Sequence, residues 1–174
     1  DSVAGKNSSR DYCILTLFLN CGLRISELVG LNVTDVRGDQ LRVLGKGNKE
    51  RAIYLNKACM HAINEYLKER PKEGVQFDSK DALFLSERRK RISNRTVQYI
   101  VKEEMRIAGI DPNKYSVHKL RHTAATLMYK YGNVDIRALQ VLLGHESVST
   151  TEIYTHVDSD QIRSAIENNP LADE

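Results

Sequence analysis

Between Ser8 and Cys21 the apolar residues Ile14, Leu15, Phe18 and Leu19 fall three and four apart, the period of a helix that buries one face. Ser8 or Ser9 supplies an N-cap hydroxyl and Gly22 a left-handed stop, so the pattern predicts a helix that ends just before Arg24. A second short helix carrying Ser26, Glu27 and Leu28 follows. The period then drops to two. The stretch "QLRVLGKGNKERAIYL" alternates apolar and polar residues on both sides of "GKGNK", where Gly and Asn supply the positive φ angles of a tight turn, so it reads as a β-hairpin with Lys46 at its tip. Helical spacing returns from about Lys57 to Arg70, gives way to a polar loop from Pro71 to Asp81 and to a candidate short strand from Ala82 to Leu85, and resumes behind the cap Ser93 as far as about Ala108. Ser116 caps "VHKLRHTAATLMYKY", Asp135 opens "IRALQVLLG", Ser149 opens a short helix through Tyr154, and a last helix from about Ser159 to Asn168 is halted by Pro170. The predicted architecture is mostly α with a small antiparallel β-sheet on one side, an α+β fold without repeats or low-complexity tracts.

Composition adds bounds. A chain of 174 residues with 41% hydrophobic content fills one core, so a single domain over residues 1–174 is expected. With 26 Lys and Arg against 23 Asp and Glu, a nucleic-acid surface has to come from local clustering and not from the net charge of +3. Cys13, Cys21 and Cys59 are an odd number without metal-ligand spacing, which suits buried thiols in a reducing compartment. No apolar run approaches the roughly 20 residues of a membrane span, and no signal-peptide pattern is present. A cytoplasmic protein with no membrane partner is expected. The first residue, Asp1, fits a piece of something longer.

Three places carry candidate chemistry. In "GLRISELVGL" an arginine, Arg24, interrupts an apolar run just past a helix stop; it either pairs with Glu27 on the next turn or is aimed into a cleft. In "SVHKLRHTAAT", His118 and Arg121 share one helical face while Leu120, Ala124 and Leu127 can point into the core. His118 and His122, four apart, mimic a zinc-binding helix, but the intervening "KLR" lacks the glutamate base of that motif, and no metal site is expected. In "LLGHESVSTTEIYTH", His145 follows a glycine stop and Tyr154 stands nine residues on.

Together and in order, "GLRISEL", "GKGNKER", "HKLRH", "LLGH" and "YTH" resemble the tyrosine site-specific recombinases, the family of phage integrases and Xer-type chromosome-dimer resolvases, over roughly Arg10 to His156. The resemblance implies that Arg24 and Arg121 grip the scissile phosphate with Glu27 in support. It makes Lys46 the hairpin lysine, His118 and His145 the two histidines, and Tyr154 the nucleophile. It also implies an amino-terminal, helical core-binding domain, which this chain lacks, so the chain is expected to be the catalytic half.

The chemistry explains the residue types. Negative charge grows on the nonbridging phosphate oxygens in the transition state, and arginine's planar fork meets it with two parallel hydrogen bonds and a permanent charge. Tyrosine is a weak nucleophile until nearby cations and a base, here His118, favour its phenolate, and the departing 5′ oxygen needs a general acid, for which Lys46 is best placed. His145 is expected to hydrogen-bond the phosphate. The product is a 3′-phosphotyrosyl enzyme, and no metal, ATP or other cofactor is expected. "ERRKR" (Arg88, Arg89, Lys90, Arg91) with Arg95, and Lys49 with Arg51 beside the hairpin, fit a surface for the DNA backbone. The expected partners are double-stranded DNA carrying a recombination site and further copies of the chain, four on two duplexes. The amphipathic tail helix with Ile162 and Ile166 either docks on a neighbouring protomer or packs on its own domain. Two other functions fit the same residues: a type IB topoisomerase-like enzyme that relaxes supercoils without exchanging strands, and a DNA-binding module that kept the fold without the chemistry.

Overall fold

The computed structural model describes residues 8–132, 139, 140, 143 and 166–172. Its helices are α1 (Ser8–Cys21), α2 (Ile25–Gly30), α3 (Lys57–Glu69), α4 (Asn94–Ile107) and α5 (Val117–Tyr131), and its strands are β1 (Val36–Arg37), β2 (Gln40–Leu44) and β3 (Glu50–Tyr54). Ile14, Leu17, Phe18, Cys13 and Cys21 of α1 are all fully buried, while Leu15 and Leu19 of the expected apolar face are half-buried. Apolar contact on nearly every side belongs to a central helix, and α3, α4 and α5 all pack against α1.

Local punctuation sets several helix ends as the sequence predicts, whereas Ser8 and Ser9, the expected caps of α1, lie inside that helix. Ser93 and Ser116 cap α4 and α5, their hydroxyls accepting from the Thr96 and Lys119 amides. Gly22 (φ 61°) stops α1 in the left-handed region, and Gly109 (φ 72°) follows α4. The hairpin turn likewise has Gly47 and Asn48 at positive φ, and it is closed where the Gly45 amide donates to the Lys49 carbonyl at 2.8 Å.

The three strands form an antiparallel meander in the order β1-β2-β3. Leu41 stands opposite Ile53 and Val43 opposite Arg51. Leu41, Val43 and Ile53 are buried, so the inward face of the sheet is apolar except at Arg51. With only two residues, β1 is too short to show the alternation that betrays a strand in sequence.

The expected strand from Ala82 to Leu85 needs correction. It is a fully buried segment whose pairing is limited to isolated bridges, Asn32 with Ala82 and Leu85 with Arg91. Three of its carbonyls are taken by side chains instead, while Phe84 O accepts the Ile92 amide: Arg70 Nη2 donates to Ala82 O at 2.6 Å, Arg70 Nε to Leu83 O at 3.2 Å, and Arg10 Nη1 to Leu85 O at 3.0 Å. Tyr66 stacks on Phe84 with ring centroids 5.3 Å apart, and its hydroxyl accepts from the Leu85 amide. Buried backbone groups have to be paired, and here guanidiniums replace a neighbouring strand.

A buried amide network ties the chain's end to its start. Asn56 caps α3 by accepting from the Cys59 amide, and its Nδ2 donates to Asn20 Oδ1 at 2.8 Å and to the Ile166 carbonyl at 3.3 Å. Asn169 Nδ2 donates to Leu19 O, and the Ala58 amide to Ala172 O. Ile166 is fully buried in the same core as α1 and α3. Residues 166–172 therefore pack on their own domain, and residues 166 and 167 are helical, the end of the helix expected from about Ser159 to Asn168; Ile162 and the earlier part of that helix lie outside the described residues, as does the helix expected to open at Ser149. Of the helix expected to open at Asp135, only residues 139, 140 and 143 are described, with Leu139 and Leu143 in the core. Cys13, Cys21 and Cys59 are free and buried, as expected.

The α1 stop can be tested. A Cβ on Gly22 would lie 2.7 Å from Leu143 Cδ2, in addition to the strain of a side chain at φ 61°. Gly22→Ala should therefore destabilise the fold by about 1–3 kcal/mol in urea titration. Gly47→Ala, at φ 72° with no atom within 4 Å of its Cβ, should fall at or below the lower end of that range. Equal losses would mean that close packing at Gly22 adds nothing.

Candidate active site

The site is built around one carboxylate. After the Gly22 stop, fully buried Leu23 anchors the turn, and Arg24 takes the extended conformation of an N-cap (φ −75°, ψ 150°) ahead of α2. Glu27, at the third position of that helix, turns back so that its Oε2 accepts the Arg24 amide at 2.8 Å, half of a capping box. Its Oε1 also accepts Arg24 Nη1 at 3.3 Å. From β3, Arg51 lays its fork on the same carboxylate, Nη1 to Oε1 at 2.6 Å and Nη2 to Oε2 at 3.0 Å. The Glu27 side chain is only 2% exposed. Burial raises its pKa, but the hydrogen bonds and charges of Arg51 and Arg24 more than reverse this and hold it below the ordinary carboxylate value.

A third guanidinium completes the group. Arg121, on the second turn of α5, is 6% exposed, and its Nη2 donates to the Leu143 carbonyl at 2.5 Å. Its Nη1 is buried with no hydrogen-bond partner among the described residues. Burial and then repulsion from Arg24 lower the Arg121 guanidinium to about 10; Glu27 opposes that shift and Arg51 adds to it. Arg24, Arg51 and Arg121 thus share one neighbourhood with a single carboxylate. Among the described residues Glu27 is the one carboxylate shown against this group, and an unpaired buried donor such as Arg121 Nη1 costs roughly 1–3 kcal/mol. A tetrahedral oxyanion is one species that could supply an acceptor for that donor.

The remaining expected residues are distributed around this group. Lys46 is exposed on the hairpin turn, next to Gly45, whose Cβ would lie 3.6 Å from Arg51 Nη1 and 3.8 Å from Glu27 Oε1. His118 is exposed on the first turn of α5, and His122 is also exposed. His145 and Tyr154 lie outside the described residues. Among the described residues no group of three or more His, Cys, Asp or Glu could hold a metal ion.

The expected DNA-backbone residues divide. Lys49, Arg88, Lys90 and Arg95 are exposed. Arg89 is exposed at φ 56°, with Nη1 donating to Glu73 O. Arg91 has a structural seat: it donates to the Val29 and Leu31 carbonyls at 3.0 and 2.9 Å and to Asn32 Oδ1, covering the end of α2. Arg51 points inward to Glu27. Its place was legible in the strand period, since alternation puts it on the same face as Ile53.

The unpartnered Arg121 donor predicts anion binding. At matched ionic strength, sulfate should raise the melting temperature above its value in chloride, by about 1.4 kcal/mol of added stability at ten times the dissociation constant. Arg121→Gln should lose most of that difference in a thermal melt. An equal sulfate effect in both proteins would mean that the anion acts generally and not at this site.

Comparison with known proteins follows this geometry. The family model described as "Phage integrase family" matches residues 2–161. A tyrosine recombinase XerC of Caldanaerobacter subterraneus subsp. tengcongensis is 63% identical over 174 residues, 100% of this chain and 49% of that protein. The crystal structure of XerA recombinase shares 34% identity at a TM-score of 0.72, covering 89% of this chain and 55% of its own. XerH site-specific recombinase, in a post-cleavage complex with a palindromic difH substrate, shares 28% identity at a TM-score of 0.70, covering 93% of this chain and 46% of its own. The chain spans about half the length of these relatives. Matched over nearly its whole length, and folded as a mostly helical domain with a three-stranded antiparallel sheet like the recombinases it resembles, this chain belongs to the phage integrase family of tyrosine recombinases.

Proposed function

We propose that this chain is the catalytic half of a site-specific DNA recombinase that breaks and rejoins strands through a covalent tyrosine intermediate. The observation that carries the proposal is the guanidinium group around Glu27, with the buried Nη1 of Arg121 lacking a partner among the described residues. The family's XerH relative, caught with its DNA substrate before and after cleavage, supports double-stranded DNA as the partner.

In this reading Arg24 and Arg121 bind the nonbridging oxygens of the scissile phosphate. The phenolic oxygen of Tyr154 attacks phosphorus and gives its proton to His118; His145 donates a hydrogen bond to the phosphate. The bond from phosphorus to the 5′ oxygen breaks, and that oxygen leaves as a hydroxyl with a proton from Lys46 Nζ. A 3′-phosphotyrosine remains, which the 5′ hydroxyl of another strand reverses. The side chains account for every proton, so the proposal names no cofactor. Lys49, Arg88, Arg89, Lys90 and Arg95 fit a backbone-binding surface, and four protomers on two duplexes fit strand exchange, with residues 166–172 held on their own domain. The amino-terminal domain that the family places ahead of this one belongs to the proposal as the other half of a clamp. Action on DNA fits a cytoplasmic location.

The experiment is covalent capture. A nicked suicide duplex carrying the sequence that the protein selects from a random pool should give a denaturation-resistant adduct in EDTA. Tyr154→Phe should abolish the adduct and leave gel-shift binding nearly intact. An adduct that survives this change would refute Tyr154 as nucleophile; relaxation of supercoiled plasmid without strand exchange would favour the topoisomerase-like function.

A further inference from the structure

We infer that Arg51 is a positioning residue that locks the Lys46 hairpin to the phosphate-binding turn through Glu27, an inference that rests on the function proposed above. Its position among the basic residues flanking the hairpin suggests a DNA contact, yet its guanidinium lies on the inward face of the sheet, opposite Val43. Its two nitrogens hold both oxygens of Glu27, at 2.6 and 3.0 Å. The same carboxylate holds the Arg24 backbone at 2.8 Å and the Arg24 side chain at 3.3 Å. One buried anion therefore connects two segments far apart in the chain, the turn carrying Arg24 and the strand leaving the hairpin.

The hairpin base lies close to that pair, with no room for more than a methyl group between them. A Cβ at Gly45 would stand 3.5 Å from the Lys49 carbonyl, 3.6 Å from Arg51 Nη1 and 3.8 Å from Glu27 Oε1, so the backbone entering the turn runs beside the ion pair. The next residue is Lys46. The lysine is exposed and gains no orientation from packing of its own side chain, so the segment that aims it is fixed from below. The pairing also divides Glu27 unequally between the arginines. Because Arg51 takes the bidentate edge, the Arg24 side chain keeps one longer bond to Glu27. Without Arg51, Arg24 is the nearest cation to close onto the carboxylate, which draws it toward Glu27 and away from a bound phosphate. A guanidinium suits this duty and an ammonium does not, since only the planar fork holds both oxygens in one plane.

The test uses the full-length recombinase and the selected suicide duplex, with Arg51→Lys, Arg51→Gln and the pair Glu27→Gln with Arg51→Gln, which leaves the net charge of the site unchanged. The inference predicts that Arg51→Lys and Arg51→Gln slow single-turnover cleavage of bound DNA by about 10²-fold, the scale of a small misplacement in a reacting group. Affinity and its salt dependence should stay near wild type. The double variant should be no slower than Glu27→Gln alone, because Arg51 acts through Glu27. A duplex with sulfur replacing the bridging 5′ oxygen, whose thiolate scarcely needs a proton, should recover at least about tenfold of the Arg51→Gln loss, as it should for Lys46→Ala. A structural defect alone would not respond to the leaving group.

Wild-type cleavage by Arg51→Lys would overturn the inference, since charge would then suffice. So would weaker binding with the logarithmic salt slope reduced by about 0.9 and normal cleavage of bound DNA, the signature of a phosphate contact. Sulfur rescue of Lys46→Ala but not of Arg51→Gln would refute the link to the hairpin while leaving the proposed reaction standing. Absence of any adduct from the wild-type protein would instead refute the reaction itself.

Discussion

A carboxylate with almost no access to water, held by the forks and backbone of two arginines, is the constraint from which the candidate site follows. Removing a carboxylate from water costs several kcal/mol, so Glu27 stays ionised only because donors reach it from two directions. Its single charge in turn lets three guanidiniums share one neighbourhood, which mutual repulsion would otherwise disperse. Among the described residues the compensation is incomplete at Arg121. Arg121 bears the imbalance, with its acidity shifted to about 10 and one buried nitrogen lacking an acceptor among the described residues. A buried donor left without an acceptor is unfavourable, and the proposed function would relieve that cost with a phosphate oxygen.

The scaffold brings these groups together by stopping chains at the right places. The left-handed Gly22 ends α1 so that Leu23 enters the core and Arg24 begins α2, and the same glycine leaves room for Leu143, whose carbonyl orients Arg121. The meander supplies the other wall, because register puts Arg51 beside the buried Val43, Leu41 and Ile53. Packing of α5 on α1 then sets Arg121 against the α1–α2 turn. Each requirement is ordinary, and their coincidence at one carboxylate gives the site its charge.

What could be read from the sequence was whatever is decided locally. Ser93, Ser116 and Gly22 mark helix ends through hydrogen bonds and φ preferences spanning only a few residues, and "GKGNK" carries its own turn chemistry. The Arg24–Glu27 partnership was legible for the same reason, at a separation of three. What depends on distant partners was not. The segment from Ala82 to Leu85 resembles a strand, but Arg70 and Arg10 decide the fate of its carbonyls. In "ERRKR" the basic residues look equivalent, and only the approach of the α2 end gives Arg91 its structural seat. Arg51 lies between these cases. It was expected on the DNA-backbone surface; the strand period carried a signal that it faces inward, but the buried carboxylate it meets was 24 residues away.

The ionisation of Glu27 tests this account most directly, because burial and arginine pairing push its acidity in opposite directions. A ¹³C carboxyl NMR titration of the protein, with the Glu27 resonance assigned through Glu27→Gln, reads the sign without reference to catalysis. The account predicts a midpoint below the ordinary value of 4.5, with the carboxylate charged throughout the neutral range. A midpoint above 4.5 would mean that burial outweighs the arginines, and that the cluster around Glu27 is not held together by its charge.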